Sequence, residues 1–446
     1  MTHRDDFTEG NVRGQLITFS VPILLTNLLQ VSYQFIDSLW VGNLIGANAL
    51  GAVAVASIVI SVILSFIFGI NNATLTILSQ QKGMGDEVGL SRYLNAFTVL
   101  LAFLSILVAL VGFFFAEYIL VLLNTPISML HPAQSYLQIN SLGIAFLIGY
   151  NFIGSVLRAL GDSKTPLKIV FAAVMLNTVL DPILIAYFNL GVNGAAVATI
   201  ISQGLAFLSG MYLVLRQGLA PFPTPFIPAR KEVFLIMKLG IPSGLQMSVI
   251  TAGIAAIMSV VNSFGPHVVA GFSAAQRLDS IIMLPAQALG TAVNSMAGQN
   301  IGVNKWSRVF KIARLGLFYN LLIMVITAFV IFVFSEHLIR LFIKEADSLR
   351  FGGQYLRTIA FFYPFLGINF VLNGAVRASG AMYQVLVLNI ISFWMLRYPL
   401  TFTFSSFLGD GGIAYGMGFS FIISSIIAYL YYRFGGWKEK ELFSEA

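Results

Sequence analysis

Long apolar runs separated by short polar segments make up most of the chain. Twelve of these runs reach the roughly 20 residues that an α-helix needs to cross a bilayer. Their approximate limits are 15–39, 48–78, 93–116, 134–157, 166–188, 192–215, 233–262, 268–297, 312–334, 353–376, 383–406 and 411–432. The second and eighth runs are longer than one membrane thickness, so each predicts a tilted helix or a helix that continues past the lipid. The pattern predicts an all-α membrane protein with twelve transmembrane helices.

Basic residues indicate how these spans are oriented. With the N-terminus in the cytoplasm, the outer loops after the first, third, fifth, seventh and eleventh spans contain no Lys or Arg. Only the outer loop around 335–352 departs from this pattern, with Arg340, Lys344 and Arg350. Lys and Arg concentrate on the cytoplasmic side of membrane proteins, so we expect both termini in the cytoplasm and a location in the inner (cytoplasmic) membrane. The N-terminal residues MTHRDDFTEGNVRG show no secretory signal pattern.

A proline-rich segment, 218–231, divides the chain into two related halves. We predict an N-terminal lobe over 1–217 and a C-terminal lobe over 232–446, with the segment between them a cytoplasmic linker. VLRALG at 156–161 corresponds to AVRASG at 375–380, and GVNGAA at 191–196 corresponds to GDGGIA at 409–414. Each half has six spans, an even number, so the repeat is parallel. Such repeats are typical of secondary transporters, in which the substrate lies between the halves.

Composition narrows the functional classes further. Of 446 residues, 58% are hydrophobic and only 10% charged, with a net charge of +7. Soluble domains contain about 25% charged residues, so a soluble enzyme, a disordered chain and a nucleic-acid binder are all excluded. Cysteine is absent, and no Walker A, HExxH or GxSxG pattern appears. We therefore expect no enzyme activity, no cofactor and no resident metal.

A few ionisable side chains fall within the predicted spans, where they are costly and usually functional. Gln30, Tyr33 and Asp37 are spaced by three and four residues and so share one helix face. Asn177 and Asp181 share a face of the fifth span in the same way, and Pro182 follows, which leaves the carbonyl of Thr178 without a regular helical donor.

Thr199 in the sixth span lies at a depth similar to that of the two acids. Asp37, Asp181 and Thr199 each come about 8–10 Å below the outer surface, at 1.5 Å per residue. Two nearby carboxylates resist being charged together, so one of them would hold a proton near neutral pH. The same oxygen atoms also suit Na⁺. The other interpretation is that each acid lies near the interface or forms a helix-packing hydrogen bond.

Further side chains are candidates for a substrate cavity. Aromatic and methionine side chains form adaptable apolar surfaces. Arg277 and Asp279 in the eighth span are two residues apart and so lie on different faces. They either line the cavity or bind other helices, and Arg397 is placed to cap carbonyls near Pro399. The candidate cavity residues are Gln30, Tyr33, Tyr136, Tyr150, Asn151, Met175, Arg277 and Asp279.

These features resemble the multidrug and toxic compound extrusion (MATE) family along essentially the whole chain. The resemblance rests on VPILLTNLLQVSYQFIDSLWVG in the first span, QQKGMGD after the second and GQNIGVNKW after the eighth. It implies two six-helix lobes around a central cavity. It also implies export of amphipathic, often cationic drugs in exchange for H⁺ or Na⁺, with small molecules and the bilayer as partners. An internally duplicated transporter forms its cavity alone, so we expect a monomer.

The chain is most similar to the DinF-like branch of that family. There the coupling cluster is an acid in the first span, an Asn and an Asp four apart in the fifth, and a Thr in the sixth. Asp37, Asn177, Asp181 and Thr199 match these positions, and the resemblance links Pro22 to bending of the first helix. The acids that other branches carry in the seventh and tenth spans are missing, which disfavours a second-lobe ion site.

Three functions are consistent with these sequence features. The sequence favours an H⁺-coupled drug antiporter, with an Na⁺-coupled antiporter at the same cluster as the alternative. A lipid-linked oligosaccharide flippase of the wider superfamily is a third hypothesis. Flippases of that kind usually have fourteen spans and a strongly cationic cavity, whereas the candidates in the first half are mostly acidic.

Overall fold

The computed structural model describes residues 6–443, apart from the side chains of Gln34 and Ala47, and this part of the chain contains helices and no strand. The helices of the first half are α1 (Val12–Leu44), α2 (Ala47–Met84), α3 (Glu87–Phe114), α4 (Ala116–Leu122), α5 (Ile127–Leu142), α6 (Ile144–Ala159), α7 (Lys164–Pro182) and α8 (Val192–Arg216). The helices of the second half are α9 (Arg230–Asn262), α10 (Pro266–Ile282), α11 (Leu284–Gly302), α12 (Trp306–Arg340), α13 (Ala346–Ile359), α14 (Tyr363–Ala378), α15 (Met382–Ile390), α16 (Tyr398–Leu408) and α17 (Gly412–Phe434).

Several predicted spans consist of two helical pieces. The fourth is α5 and α6, which meet at an angle of 50°. The eighth is α10 and α11, so the long apolar run there is a broken helix, whereas α2 is one continuous helix of 38 residues. The tenth is α13 and α14, joined by a 3₁₀ turn, and the eleventh is α15 and α16, joined by a π-helical turn over Ile391–Arg397. The helices therefore break within spans whose apolar sequence is continuous.

Length and hydropathy identify nine helices among the described residues that could cross a membrane, or ten if the bent α5–α6 pair is one span. That count treats Met382–Phe434 as a single stretch of 53 residues. A helix of this length would measure about 80 Å, against a hydrocarbon core of about 30 Å. The 3₁₀ turn at Gly409–Gly411 divides it into two spans. The helical segments thus follow the twelve predicted stretches in order, although α10 and α11 are not among the helices identified by length and hydropathy.

Residues with a left-handed backbone recur at matching places in the two halves. The turn before α2 has Gly46 with φ of 113°, and the turn before α10 has Gly265 with φ of 96°. The same match holds for Gly161 with Gly380, both of which have positive φ. Glycine adopts this conformation without the steric cost of a Cβ atom. The internal repeat is therefore present in the turn geometry as well as in the sequence.

The chain forms two compact units, and two helices pass from one unit to the other. Unit 1 contains Leu25–Gly240, and unit 2 contains Asp6–Leu24 together with the chain from Ile241 onward. Helix α1 therefore begins in unit 2 and ends in unit 1, whereas α9 begins in unit 1 and ends in unit 2. Each transition lies two residues or fewer from a proline, Pro22 in α1 and Pro242 in α9. Proline removes one helical hydrogen bond, so both helices are weakened where they change unit. The lobe limits at 217 and 232 remain a prediction.

The beginning of α9 is fastened to α3 inside unit 1. The amide of Asn95 donates to the carbonyl of Phe226 at 2.9 Å and accepts from the Phe226 N–H at 2.9 Å. Nε of Arg92 lies 2.8 Å from Oε1 of the buried Glu232, whose Oε2 accepts from the N–H of Ala229. These contacts hold the proline-rich linker and the first turn of α9 against α3.

Close helix packing in unit 2 depends on two glycines. A Cβ atom built on Gly374 of α14 would lie 2.2 Å from the carbonyl oxygen of Gly290 in α11. A Cβ atom on Gly290 would lie 2.6 Å from the carbonyl oxygen of Phe370. Small residues let helix backbones approach closely in membranes, and here they set the crossing of α11 and α14.

Candidate functional site

Residues of unit 1 line a cavity of about 560 Å³. That volume is within the range of small-molecule sites. Aliphatic side chains form much of the wall, and Asp37 is the one charged side chain among the residues that line the cavity. The polar and aromatic side chains around Asp37 are Gln30, Tyr33, Ser38, Ser57, Ser61, Phe68, Tyr136, Asn140, Ser141, Tyr150, Asn151, Thr199 and Gln203.

Helix α1 supplies the acid of this cavity. Gln30, Tyr33 and Asp37 all line the wall, as expected for side chains spaced by three and four residues. Only 8% of Asp37 is exposed. Its Oδ2 accepts a hydrogen bond from the hydroxyl of Tyr136 on α5 at 3.4 Å. Oδ1 is buried and has no hydrogen-bond partner among the described residues, so one carboxylate oxygen remains available to a proton, a metal ion or a ligand.

A second buried acid lies outside the cavity wall. Asp181 on α7 has no exposed surface. The amide nitrogen of Asn177 donates to Asp181 Oδ1 at 3.1 Å. A π-helical turn over Ile183–Tyr187 follows directly after Pro182, where the sequence predicts a disturbed helical bond.

The four predicted coupling residues lie in the same unit. Asp37 and Thr199 both line the cavity, whereas Asn177 and Asp181 lie outside its wall and form a hydrogen bond with each other. Asp181 Oδ2, Asn177 Oδ1 and Thr199 Oγ1 are buried with no hydrogen-bond partner among residues 6–443. Unpartnered buried oxygens are uncommon. This group offers only oxygen ligands to a cation, and no set of three or more His, Cys, Asp or Glu residues gathers in the described chain.

Three of the predicted cavity residues lie elsewhere. Met175 is 51% exposed, because α7 turns Val170, Ala173 and Val174 toward the cavity instead. Arg277 and Asp279 belong to α10 in unit 2 and do not line the unit 1 cavity. The other five, Gln30, Tyr33, Tyr136, Tyr150 and Asn151, all line it.

Unit 2 has a separate polar cluster around Asp279 and Arg397. The hydroxyl of Tyr363 donates to the Asp279 carboxylate. The buried Arg397 guanidinium lies over the rings of Phe393 and Phe421, at 3.8 Å and 4.6 Å from their centroids. Cation–π contact of this kind is favourable when the cation is desolvated. Arg397 is therefore held by aromatic rings and by Ser420 Oγ at 3.4 Å, rather than by the carbonyls near Pro399.

Asn140 and Gln203 line the cavity and were not predicted, although helix spacing indicates both. Asn140 lies four residues after Tyr136, and Gln203 lies four residues after Thr199, so each pair shares a helix face. Both line the cavity. Phe68 and the serines of α2 had no such signal, because the long apolar α2 does not show which of its faces points inward.

An internally repeated helical membrane protein, with a cavity among its helices that contains a buried carboxylate, belongs to the class of secondary transporters. A family model named MatE matches the chain twice, at residues 22–183 and 242–403. The chain belongs to the MatE family, the multidrug and toxic compound extrusion transporters. It is a membrane transporter and not an enzyme. The family resemblance and the all-α repeat fold are confirmed.

Relatives and solved structures extend over nearly the whole chain. The probable multidrug resistance protein YpnP of Bacillus subtilis (strain 168) is 62% identical over 440 residues, 99% of both chains. An outward-facing multidrug resistance MATE family transporter of the MOP superfamily has a TM-score of 0.92 at 21% identity, covering 97% of this chain and 98% of that one. The Vibrio cholerae MATE transporter VcmN in the bent form has a TM-score of 0.91 at 23% identity, with the same coverage. At these identities the two structures are evidence for the fold alone.

Proposed function

We propose that the chain is a multidrug efflux antiporter that exports amphipathic, mostly cationic compounds by alternating access. The observation that carries the proposal is a small-molecule-sized cavity with one charged side chain, the acid Asp37. A carboxylate among aromatic rings suits an organic cation, because it supplies the counter-charge while the rings contact the apolar body. The name of the 62% identical relative, a probable multidrug resistance protein, agrees with this substrate class.

We propose further that Asp37, Asn177, Asp181 and Thr199 form the coupling site, with H⁺ as the favoured ion. Protonation of Asp37 from outside removes the counter-charge of the bound cation and so promotes its release. Oδ1 of Asp37 and Oδ2 of Asp181 have no hydrogen-bond partner among the described residues, which leaves each carboxyl an oxygen to protonate. In the DinF-like pattern, bending of α1 at Pro22 accompanies this step. No cofactor takes part besides the coupling ion.

Na⁺ coupling at the same cluster is the alternative within this function. Two carboxylates, an amide oxygen and a hydroxyl are hard oxygen ligands, which also suit Na⁺. The choice between the two ions depends on which gradient drives export.

A lipid-linked oligosaccharide flippase is less well supported. Its pyrophosphate group requires a basic cavity, and no Lys or Arg lines the cavity of unit 1. The polar cluster of unit 2 includes Arg397, but its guanidinium lies over two aromatic rings.

We also propose a monomer in the cytoplasmic membrane with both termini in the cytoplasm. The basic inner loops support this orientation. The cavity is lined by residues of one unit of one chain, so it needs no second copy.

The proposal is tested with purified protein in liposomes and a fluorescent lipophilic cation. An imposed proton gradient and an imposed sodium gradient are applied separately to the wild type, to Asp37→Asn and to Glu87→Gln. Glu87 is an exposed acid at the start of α3, so its variant loses one negative charge outside the cavity and serves as the control.

We expect proton-driven export by the wild type and by Glu87→Gln, and its loss in Asp37→Asn. Export driven by the sodium gradient and not by the proton gradient would show that the coupling ion is Na⁺ and not H⁺. Undiminished export by Asp37→Asn would remove Asp37 from the coupling site. No export of any cation by the wild type would contradict the antiporter proposal.

A further inference from the structure

The residues just before α1 form a short irregular segment, Asp6–Gly10, which we call the strap. Its backbone is held by side chains at the junction of α11 and α12. The Phe7 carbonyl accepts from Asn300 Nδ2 at 2.9 Å and from Arg308 Nε at 2.7 Å. The Phe7 N–H donates to Gln299 Oε1 at 3.2 Å. Phe7 thus has its backbone donor and its backbone acceptor satisfied without being helical.

Arg308 makes the largest share of these contacts. Besides the Phe7 carbonyl, it donates through Nη1 to the Gly10 carbonyl at 2.9 Å and through Nη2 to the Glu9 carbonyl. Nη2 also donates to Gln15 Oε1 at 2.9 Å, in the first turn of α1. A guanidinium presents five N–H donors in a rigid plane, which allows one side chain to bind three carbonyls of the irregular backbone, those of Phe7, Glu9 and Gly10. Lysine, with a single ammonium, cannot reproduce this arrangement.

The strap is continuous with a buried part of α1. The ring of Phe7 is fully buried and lies edge-on to Phe19, with centroids 4.8 Å apart. Leu16, Phe19 and Ile23 pack in one hydrophobic cluster with residues of α11 and α14. The first three turns of α1 are therefore fastened at their start by Arg308 and along one side by the core of unit 2.

The same helix then supplies the cavity. Helix α1 runs without interruption from Val12 to Leu44, and its residues from Leu25 onward belong to unit 1. Asp37 lies thirteen residues after Leu24, a rise of about 20 Å along the helix. Pro22 removes one hydrogen bond of α1 between the strap and the cavity, but the helix remains continuous through it. The position of its N-terminal end therefore affects where Gln30, Tyr33 and Asp37 lie.

We infer that Arg308 is a positioning residue for transport: by holding the strap, it fixes the N-terminal end of α1 and thereby the cavity face that carries Asp37. The transport consequence rests on the function proposed above. The effect on the position of α1 does not rest on that function, and the experiment measures the effect on transport and the effect on α1 separately.

The experiment compares Arg308→Ala, Arg308→Lys and Lys311→Ala in the full-length protein. Lys311 is exposed on α12, three residues after Arg308, and none of the strap contacts involves it. Its variant therefore removes the same charge from the same helix and serves as the matched control. Two readouts are used: hydrogen–deuterium exchange of peptides covering 6–16 and 25–44, and the KM and maximal rate of cation export from liposomes.

We expect Arg308→Ala to raise deuterium uptake in both peptides and to lower the maximal export rate at least about tenfold, because it removes four hydrogen bonds donated by a charged group. KM should change less than about twofold, since no cavity contact is removed. Arg308→Lys should give a smaller change in the same direction, and Lys311→Ala should behave as the wild type.

If Arg308→Ala increases exchange only in 6–16 and exports at the rate of Lys311→Ala, the inference is overturned. Arg308 would then stabilise only the segment that it contacts. If Arg308→Ala does not fold, the comparison of Arg308→Lys with Lys311→Ala tests the inference. Equal deuterium uptake and equal export rates in these two variants would overturn it. If the wild type exports no cation under either gradient, the proposed function fails. The exchange of 25–44 still decides the positioning claim in that case.

Discussion

At the scale of single residues, the cavity of unit 1 combines one acid that lines the wall with one acid behind it. Asp37 has a tyrosine hydroxyl as its donor, and Asp181 has the amide of Asn177. Each donor satisfies one carboxylate oxygen and leaves the other without a partner among the described residues. These unpartnered oxygens are available to a proton or a metal ion, and for this reason we propose that the coupling ion binds at this site.

The amide of Asn177 provides a test of this arrangement. Asn177→Leu keeps the branched shape of the side chain but removes the donor to Asp181 Oδ1. An unpartnered buried polar group costs about 1–3 kcal/mol, so we expect coupled export to fall about tenfold or more. Thr178→Val is the control, because its hydroxyl on the next residue bonds only the local Val174 carbonyl. Equal export by the two variants would show that Asn177 does not support the coupling site.

At the scale of helices, the fold depends on where the spans are interrupted and where they approach closely. The π-helical turns after Pro182 and before Tyr398 and the bend between α5 and α6 all lie within single predicted spans. Hydropathy predicts the spans well because every helix that faces lipid must be apolar. It does not show these breaks. Pro182 indicates the first of them, whereas the bend between α5 and α6 depends on packing against neighbouring helices.

The contact between α11 and α14 leads to a stability prediction. Gly374→Ala would place a Cβ atom 2.2 Å from the backbone of Gly290, so the helices must separate. Overpacking of this kind typically costs about 1–3 kcal/mol, and we expect a lower thermal unfolding temperature in detergent. Gly411→Ala is the control, because a Cβ atom there meets nothing within 4 Å. Unchanged stability in Gly374→Ala would mean that this crossing is loosely packed.

At the scale of the whole molecule, two compact units share two helices. The first part of α1 belongs to unit 2 and the first part of α9 belongs to unit 1. The repeated sequence suggests that each half of the chain folds as one lobe, but the beginning of each half packs in the other unit. The reason is that Phe19 and Ile23 find their apolar partners on α11 and α14.

The orientation of the chain is testable because the protein has no cysteine. Ile127 and Ile227 are 91% and 94% exposed, and three predicted spans separate them. We expect Ile127→Cys to react with a membrane-impermeant maleimide in intact cells, and Ile227→Cys to react only after permeabilisation. The cysteine-free parent supplies the unlabelled background. Labelling of both from the same side would mean an even number of crossings between them and would contradict the twelve-span arrangement.

The sequence by itself determined the all-α membrane fold, the parallel repeat, the family and the single-helix groupings of Gln30, Tyr33 and Asp37 and of Asn177 and Asp181. These follow from the apolar character that lipid imposes and from the regular spacing of a helix. Only the tertiary structure decided that Asp37 lines the cavity while Asp181 lies behind it. It also decided that Met175 points away, that Asp279 bonds to Tyr363 in unit 2, and that the strap is bound by Arg308. Each of these depends on which faces of separate helices meet, and that is set by long-range packing that helix periodicity does not encode.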